Sequence, residues 1–336
     1  MASALFTLAE IEAALPIVHS AVPPTPQYAW PQLAARTGAD VFVKHENHTP
    51  IGAFKVRGGL VYMDRLRREQ PEVSGIVSAT RGNHGQSLAF AARRAGIAAT
   101  IVVPHGNSAE KNAAMRAFCA ELIEYGRDFD EAKEHAAVIA RRRGHALTPA
   151  FHRDLVIGVA TYAYEFFRAV GDLHTVYVPI GLGSGICGVI GMRDALGLAT
   201  QIVGVVAQNA NAYARSFAAG QVLATDTANT FADGLAVRVP DATALAVIRN
   251  GADRIVEVSE PELVEAIGIY FTDTHTLAEG AGAAPLAALI RERAHMRGRR
   301  VGLIMSGQNI DRAAMRDVLA GRVPCRSGGV TPHLSV

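Results

Sequence analysis

The chain has 336 residues, of which 49% are hydrophobic and 19% are charged. This composition is typical of a globular protein with a large core, and the length corresponds to about two domains of ~150 residues. Lys and Arg number 33 against 31 Asp and Glu, so the chain lacks the basic footprint of a nucleic-acid-binding protein. Cys119, Cys187 and Cys325 are widely separated, which excludes a disulfide scaffold and a zinc ribbon.

Two stretches without Asp, Glu, Lys or Arg, residues 173–192 and 195–214, are long enough to be considered as membrane spans. Pro179 and several glycines interrupt the first, and amide side chains interrupt the second, so both are better interpreted as buried strand-loop-helix units. Glu10 and Glu12 occupy the N-terminal region, which lacks the basic and apolar parts of a signal peptide. We therefore expect a cytoplasmic protein with no membrane partner.

Short apolar runs alternate with alanine-rich helical patterns along the chain. The runs predict strands at residues 41–44, 75–79, 100–103, 121–125, 175–180, 202–207, 254–258 and 301–305. Helices are predicted at residues 86–95, 111–118, 130–142 and 285–296. Apolar strands that are each followed by a helix indicate parallel sheets covered on both faces, and hence a doubly wound α/β architecture.

Lys55 lies in an apolar, glycine-rich segment, residues 50–59, of a chain that has only four lysines. A lysine in such surroundings is a candidate for a lowered pKa and for Schiff-base chemistry, which arginine cannot perform. The alternative is that Lys55 simply begins an amphipathic helix.

A glycine-rich loop, residues 181–185, follows the predicted strand 175–180 and precedes a helical pattern. Glycines at such a turn let backbone amides approach an anion, so the loop predicts a phosphate site. Gly183-x-Gly185-x-x-Gly188 also matches the dinucleotide fingerprint, which leaves a NAD-dependent dehydrogenase as an alternative. That fingerprint requires an acid at the end of the next strand, where this chain has Gln208. Glycines that serve only close packing are a third interpretation.

A phosphate loop without the nucleotide signals, together with Lys55, predicts pyridoxal phosphate as the cofactor. That cofactor needs one amine for its aldehyde and one anion cradle for its phosphate.

Polar residues follow two other predicted strands. The turn after residues 75–79 presents hydrogen-bond donors that suit a carboxylate, from Thr80, Arg81, Asn83 and His84, although a capped helix start is the alternative. Ser306 follows the last strand, at the edge where open α/β sheets present ligand groups. His45 and His48 resemble a metal pair, but the spacing is not H-E-x-x-H, and we expect surface histidines.

Taken in order, these segments resemble the fold-type II pyridoxal-phosphate enzymes, whose fold is like that of the tryptophan synthase β chain, and among them the serine/threonine dehydratase and serine racemase group. The motifs are residues 52–58, 82–86, 181–185, 231–236 and 306–309. Residues 45–50 and 79–84 look most like the hydroxyectoine utilization dehydratases. The resemblance implies a homodimer of two-domain chains. Each chain would have a large cofactor domain, residues 1–73 plus 150–336, and a small substrate-carboxylate domain, residues 74–149.

The resemblance also implies roles for individual residues. Lys55 would be the catalytic residue and would bind the cofactor covalently, with Phe54 packed nearby. The phosphate would lie on backbone amides of Gly181, Leu182, Gly183, Ser184 and Gly185. Asn83 would contact the ring 3′-oxygen, Ser306 would contact the ring nitrogen, and the substrate carboxylate would lie among Thr80, Arg81 and His84.

The activity implied is a lyase reaction, the β-elimination of water from a β-hydroxy amino acid to give a 2-oxo acid and ammonia. A racemase and a β-replacement enzyme are the alternatives within the fold, and a non-catalytic ligand-binding module is a more distant one. Arg81 stands where racemases of the group have serine, which argues against racemisation. Val206 and Ala212 stand where metal-dependent members have acids, so we expect no divalent-metal site. Leu182 and Ser184 interrupt a loop that usually has four consecutive glycines.

Overall fold

Strands and helices alternate through residues 5–325, the part of the chain that the computed structural model describes. The strands in this range are β1 Gln27–Ala29, β2 Asp40–His45, β3 Gly75–Ala79, β4 Ala98–Val103, β5 Glu121–Glu124, β6 Ala146–Leu147, β7 Thr175–Pro179, β8 Gln201–Ala207, β9 Arg254–Val258 and β10 Arg300–Met305. The helices are α1 Leu8–His19, α2 Pro31–Thr37, α3 Lys55–Glu69, α4 Asn83–Ala95, α5 Ala109–Ala117, α6 Phe129–Arg143, α7 Arg153–Ala169, α8 Ser184–Ala195, α9 Ala212–Ala219, α10 Ala242–Gly251, α11 Glu260–Thr274, α12 Gly280–Arg291, α13 Arg293–Met296 and α14 Arg312–Leu319.

The strands form two sheets. The larger has the order β1-β2-β10-β7-β8-β9, and all its neighbours are parallel except the edge pair β1 and β2. The smaller sheet has the order β5-β4-β3-β6 and is parallel throughout. The predicted α/β class with parallel sheets is confirmed. The strands of the smaller sheet lie within residues 75–147, and those of the larger lie outside that range.

All eight predicted strands are present, and two further strands were not predicted. Both are short edge strands, β1 with three residues and β6 with two, and neither contains an apolar run. The helix predicted at residues 285–296 differs from the structure more than the other predicted helices do. It begins earlier, at Gly280, has Pro285 in its interior, and is interrupted at Glu292 between α12 and α13.

Capping residues explain several helix boundaries. Asp128 accepts hydrogen bonds from the amides of Asp130 and Glu131 at the start of α6. The same helix ends at Gly144, whose left-handed conformation (φ 64°) suits glycine. Ser259 and Glu262 form a capping box at the start of α11. These local signals fix where the helices begin and end, and burial fixes which face they turn to the sheets.

Helices cover both faces of the larger sheet. Helices α11 and α12 bury Leu263, Ile267 and Leu286 on one side, with Val203 and Leu303 of the sheet in the same cluster. Helices α1, α3, α7 and α8 supply the apolar core on the other side. Within residues 5–325, no helix is long and apolar enough to cross a membrane.

A cluster of buried charges lies between β2, α3 and α7. Arg57 forms ion pairs with Glu46 (Nε–Oε2 2.7 Å) and with Glu165 (Nη1–Oε1 2.6 Å). Lys44 Nζ lies 2.7 Å from Glu165 Oε2. Arg57, Lys44 and Glu46 are fully buried, so the ion pairs replace the hydration that these charges lose on folding. Arg57 lies two residues after Lys55 in α3, so this cluster fixes the position of the start of that helix.

Candidate active site

Four of the predicted segments come together: the lysine segment, the glycine loop, the polar turn after β3 and the residues after β10. They lie at the carboxyl ends of β2, β7, β3 and β10, respectively. The lysine segment runs alongside the residues that follow β10. Phe54 N donates to Ser306 O at 3.0 Å, and Gln308 N donates to Gly52 O at 2.9 Å. From the smaller sheet, Ser87 Oγ on α4 donates to Lys55 O at 2.6 Å. Lys55 is therefore held by segments that are remote in sequence.

Lys55 is the first residue of α3, and its amine has few polar neighbours. Its Nζ lies 4.3 Å from the centroid of the Phe54 ring. Burial lowers the pKa of Lys55 to about 8, although the charge of Glu279 opposes the shift. An amine with this pKa is neutral in a substantial fraction of molecules near neutral pH, which nucleophilic and proton-transfer chemistry both require.

The glycine loop joins β7 to α8, so it brings backbone amides to the N-terminus of a twelve-residue helix. Gly183 precedes the helix with a φ of 102°, a conformation that side chains disfavour. A Cβ at position 181 would collide with the carbonyl oxygen of Gly234. Phe54 ring atoms lie 3.6 Å from where a Cβ on Gly185 would stand, so the loop is adjacent to the lysine segment. An anion at this helix end would lie close to Lys55.

Asn83 begins α4 and is oriented by two partners. Its Nδ2 donates to Glu279 Oε1 at 2.8 Å, and its Oδ1 accepts from Asn309 Nδ2 at 2.7 Å. Asn309 Nδ2 also donates to Ile51 O at 2.8 Å. An amide nitrogen carries two hydrogens, so Asn83 keeps one N–H for a ligand.

The other predicted polar residues lie around the same cleft. Ser306 is buried at the end of β10, and Thr80 is buried at the end of β3, where its Oγ1 accepts from Gly82 N at 3.2 Å. Arg81 is partly buried in the turn between β3 and α4. The structure thus brings Phe54, beside Lys55, into contact with Ser306 and close to Gly185, and it places Thr80 and Arg81 in the turn that precedes α4.

His84 has a defined hydrogen-bonding role. Burial and the charge of Lys55 lower its pKa to about 3, so the ring is neutral at physiological pH. It hydrogen bonds the backbone of Pro149, which has no N–H, so the histidine is the donor. Nε2 is buried and has no hydrogen-bond partner among the described residues. The donor is therefore Nδ1, and Nε2 keeps a lone pair that no described residue uses.

The sequence interpretation missed two charged residues here, Glu279 and Lys111. Glu279 is buried beside Asn83, and burial raises its pKa against the effect of Lys111. Lys111, on α5, forms an ion pair with Asp233 (Nζ–Oδ2 2.6 Å) that joins the smaller sheet to the larger. Glu279 is an isolated acid in a segment of alanine and glycine, so the criterion that singled out Lys55 could also have found it.

The histidine prediction was half wrong. His45 is fully buried, whereas His48 is exposed. Trp30 Nε1 donates to His45 Nε2 at 3.0 Å, and the His48 ring stacks on the His45 ring. Burial lowers the pKa of His45 to about 4, so it serves as a neutral core residue. No group of three or more His, Cys, Asp or Glu in residues 5–325 is arranged to hold a metal ion.

These residues fit pyridoxal phosphate. Lys55 offers the amine, the start of α8 offers an anion cradle, and Asn83 and His84 offer unused hydrogen-bonding capacity. The dinucleotide alternative lacks its acid, because β8 ends at Ala207 and Gln208 follows.

Comparison with known proteins agrees with this chemistry. Residues 18–307 match the family model described as pyridoxal-phosphate dependent enzyme. The chain is 33% identical to L-threo-3-hydroxyaspartate ammonia-lyase of a Pseudomonas species, over 88% of this chain and 93% of that one. It is 34% identical to L-threonine ammonia-lyase of Geobacter sulfurreducens, over 82% and 69% respectively.

Among solved structures, the processed form of threonine deaminase isoform 2 from Solanum lycopersicum superposes with a TM-score of 0.85. It is 27% identical, and the match covers 94% of both chains. The expected resemblance to fold-type II enzymes of the serine/threonine dehydratase group is confirmed. The chain therefore belongs to the family of pyridoxal-phosphate dependent enzymes, and pyridoxal phosphate is its cofactor.

Proposed function

We propose that the protein is a lyase that eliminates water from a β-hydroxy amino acid and releases a 2-oxo acid and ammonia. The observation that carries the proposal is Lys55, an amine whose pKa is lowered to about 8. Its neighbour Phe54 is adjacent to the glycine loop, and the Lys55 carbonyl accepts a hydrogen bond from Ser87 on α4. L-threo-3-hydroxyaspartate and L-threonine, the substrates in the names of two relatives, are both β-hydroxy amino acids.

Each cofactor contact has a candidate residue. Lys55 Nζ would hold the aldehyde carbon, with Phe54 beside it. Asn83 would direct its spare N–H to the ring 3′-oxygen, and the Ser306 hydroxyl would face the ring nitrogen. The phosphate would lie on amides of Gly181, Leu182, Gly183, Ser184 and Gly185. When bound, pyridoxal phosphate supplies the electron sink that lets the bond between Cα and its hydrogen break.

Lys55 is also the residue that would move the α-proton. A general base acts best when its pKa lies near the working pH, and burial brings the pKa of this amine to about 8. Burial keeps the amine poorly hydrated, which destabilises its charged form.

The turn after β3 would bind the substrate. Thr80 and Arg81, close to the start of α4, suit the substrate carboxylate. Because the neutral His84 presents a lone pair at Nε2, we assign it to accept a hydrogen bond from the substrate's β-hydroxyl rather than to bind the carboxylate.

A substrate panel tests the function. The purified enzyme would be incubated with L-threonine, L-serine and L-threo-3-hydroxyaspartate, and with L-alanine as a control that lacks a β-hydroxyl. We expect equal amounts of ammonia and 2-oxo acid from at least one β-hydroxy amino acid and none from L-alanine. Racemisation of the panel without ammonia release would overturn the proposal in favour of the racemase alternative.

Three further proposals concern the assembly, the location and the metabolic role of the protein. We propose a homodimer of two-domain chains, a cytoplasmic location, and a role in hydroxyectoine degradation. The two sheets support the domain division at residues 74 and 149, because β3 to β6 all lie between these positions. Light scattering would measure the mass in solution, and a mass of one chain would contradict the homodimer.

A further inference from the structure

Two buried tyrosines contact the glycine loop from the protein side. Tyr213 Oη donates to Leu182 O at 2.9 Å, and Tyr162 Oη donates to Gly185 O at 3.2 Å. Each side chain is only 1% exposed. We propose that these tyrosines are positioning residues that aim the loop amides at the cofactor phosphate.

The geometry of the peptide group connects the tyrosines to the phosphate. A trans peptide is planar, and its C=O and N–H point in opposite directions. A hydroxyl that fixes the Leu182 carbonyl therefore turns the Gly183 N–H away from Tyr213. In the same way, Tyr162 turns the Ile186 N–H, the amide that directly follows the loop, away from the Tyr162 ring, and so fixes the last peptide of the loop. Neither tyrosine touches the phosphate, yet both determine where the amides point.

A second hydrogen bond fixes the direction in which the Tyr213 hydroxyl donates its hydrogen. Asp241 N donates to Tyr213 Oη at 3.1 Å, so the hydroxyl's own hydrogen is available for Leu182. Burial raises the pKa of Tyr213, so the hydroxyl stays protonated. Asp241 is itself the N-cap of α10, where its side chain accepts from Ala244 N at 2.9 Å. The loop is thereby tied to two further helices, α9 and α10.

The two contacts differ in importance. Leu182 precedes the N-cap residue Gly183, so its carbonyl lies outside the hydrogen-bond ladder of α8 and depends on Tyr213. Gly185 lies inside α8, where its carbonyl faces the next helical turn as well as Tyr162. We expect Tyr213 to contribute more than Tyr162 to the affinity for the cofactor phosphate. The related enzymes usually have glycine where this loop has Leu182 and Ser184. Support of the loop by residues outside it agrees with this departure.

Cofactor binding to the apoenzyme tests the proposal and does not depend on turnover or on the substrate. Dissociation constants would be measured for pyridoxal phosphate and for pyridoxal, which lacks the phosphate. Tyr213→Phe should weaken pyridoxal phosphate about tenfold, because it leaves a buried carbonyl without its donor, while pyridoxal affinity is unchanged. Tyr162→Phe should show the same selectivity with a smaller loss. The ³¹P resonance of the bound cofactor should shift in both variants.

Tyr270→Phe is the matched control. Tyr270 is fully buried, and its hydroxyl has no hydrogen-bond partner among the described residues, so removal of this hydroxyl should change neither affinity. Unchanged pyridoxal phosphate affinity in Tyr213→Phe would overturn the proposal, as would equal losses for both ligands. Urea unfolding of each apoenzyme shows whether the fold is intact. If Tyr213→Phe does not fold, Tyr162→Phe decides by the same comparison.

Discussion

At the scale of single residues, Lys55 combines the amine that we propose holds the cofactor with surroundings that disfavour its charge. In the unfolded chain a lysine has a pKa of about 10.4. In the folded apoenzyme burial lowers this pKa to about 8. The folded state therefore binds fewer protons than the unfolded state between these values, and the contribution of Lys55 to stability improves as the pH rises through that window.

The prediction concerns Lys55→Met, which keeps the length of the side chain and removes its charge. Below pH 8 the variant apoenzyme should be more stable than the wild type, by up to about 3 kcal/mol. The difference should shrink as the pH approaches 10.5. Denaturant unfolding of both apoenzymes across pH 7–10.5 measures it, and a difference that does not change with pH would contradict the prediction.

Arg81 has two possible ligands: the α-carboxylate that every amino acid carries, or a second anionic group that only some substrates carry. It lies in the turn between β3 and α4, beside Thr80, where a second anionic group of a substrate could reach it. A charge-assisted hydrogen bond contributes about 1.5–3 kcal/mol. Arg81→Ala should therefore lower kcat/KM for L-threo-3-hydroxyaspartate about 10- to 100-fold more than for L-threonine. Arg127→Ala, at an exposed arginine, is the control, and an unchanged substrate preference in Arg81→Ala would refute this role.

At the scale of elements, helix α3 places Lys55, and the buried charge cluster holds α3 against β2 and α7. Glu165 is central, because it pairs with both Lys44 and Arg57. Burial alone would raise the pKa of Glu165, but the two cations lower it to about 2. Its pKa is thus depressed in the folded state, so the stability it contributes is present above about pH 4.5 and is lost as the pH falls towards 2.

The cluster predicts a large stability difference between two similar substitutions. Glu165→Gln leaves two buried cations with one buried acid and should cost about 3–5 kcal/mol in the free energy of unfolding. Asp64→Asn breaks only the surface pair with Arg68 and should cost about 0.5 kcal/mol or less. Urea unfolding at pH 7 compares them. Equal losses in the two variants would show that the buried cluster does not support α3.

The elements also show what a sequence can and cannot predict. The inner strands were predictable because buried parallel strands are mostly apolar, as β3 is apart from Ser78. Lys55 was predictable because lysine is rare in this chain and is misplaced in an apolar segment. The same criterion could have found Glu279, but its contact with Asn83, 196 residues away, is visible only in the structure. Tyr213 was missed because its contact with Leu182 is distant in sequence. The burial of His45 was missed because its partner Trp30 is not paired with it by any periodicity of the sequence.

At the scale of the whole molecule, the site forms where the smaller sheet meets the larger. The larger contributes Lys55, the glycine loop and Ser306, and the smaller contributes Asn83 and the polar turn after β3. Polar contacts join the two parts at the rim, as in the ion pair between Lys111 and Asp233 and the hydrogen bond from Ser108 Oγ to Asp311 Oδ1 (2.7 Å). Each half alone would present only part of the chemistry.

The visible absorption spectrum of the purified protein tests the central claim most directly, since it reports whether Lys55 holds the cofactor. We predict a band near ~410–420 nm after reconstitution with pyridoxal phosphate, its loss in Lys55→Ala, and its retention in Lys133→Ala. The band should change when a β-hydroxy amino acid is added. A band of equal strength in Lys55→Ala, or none in the reconstituted wild type, would contradict the account.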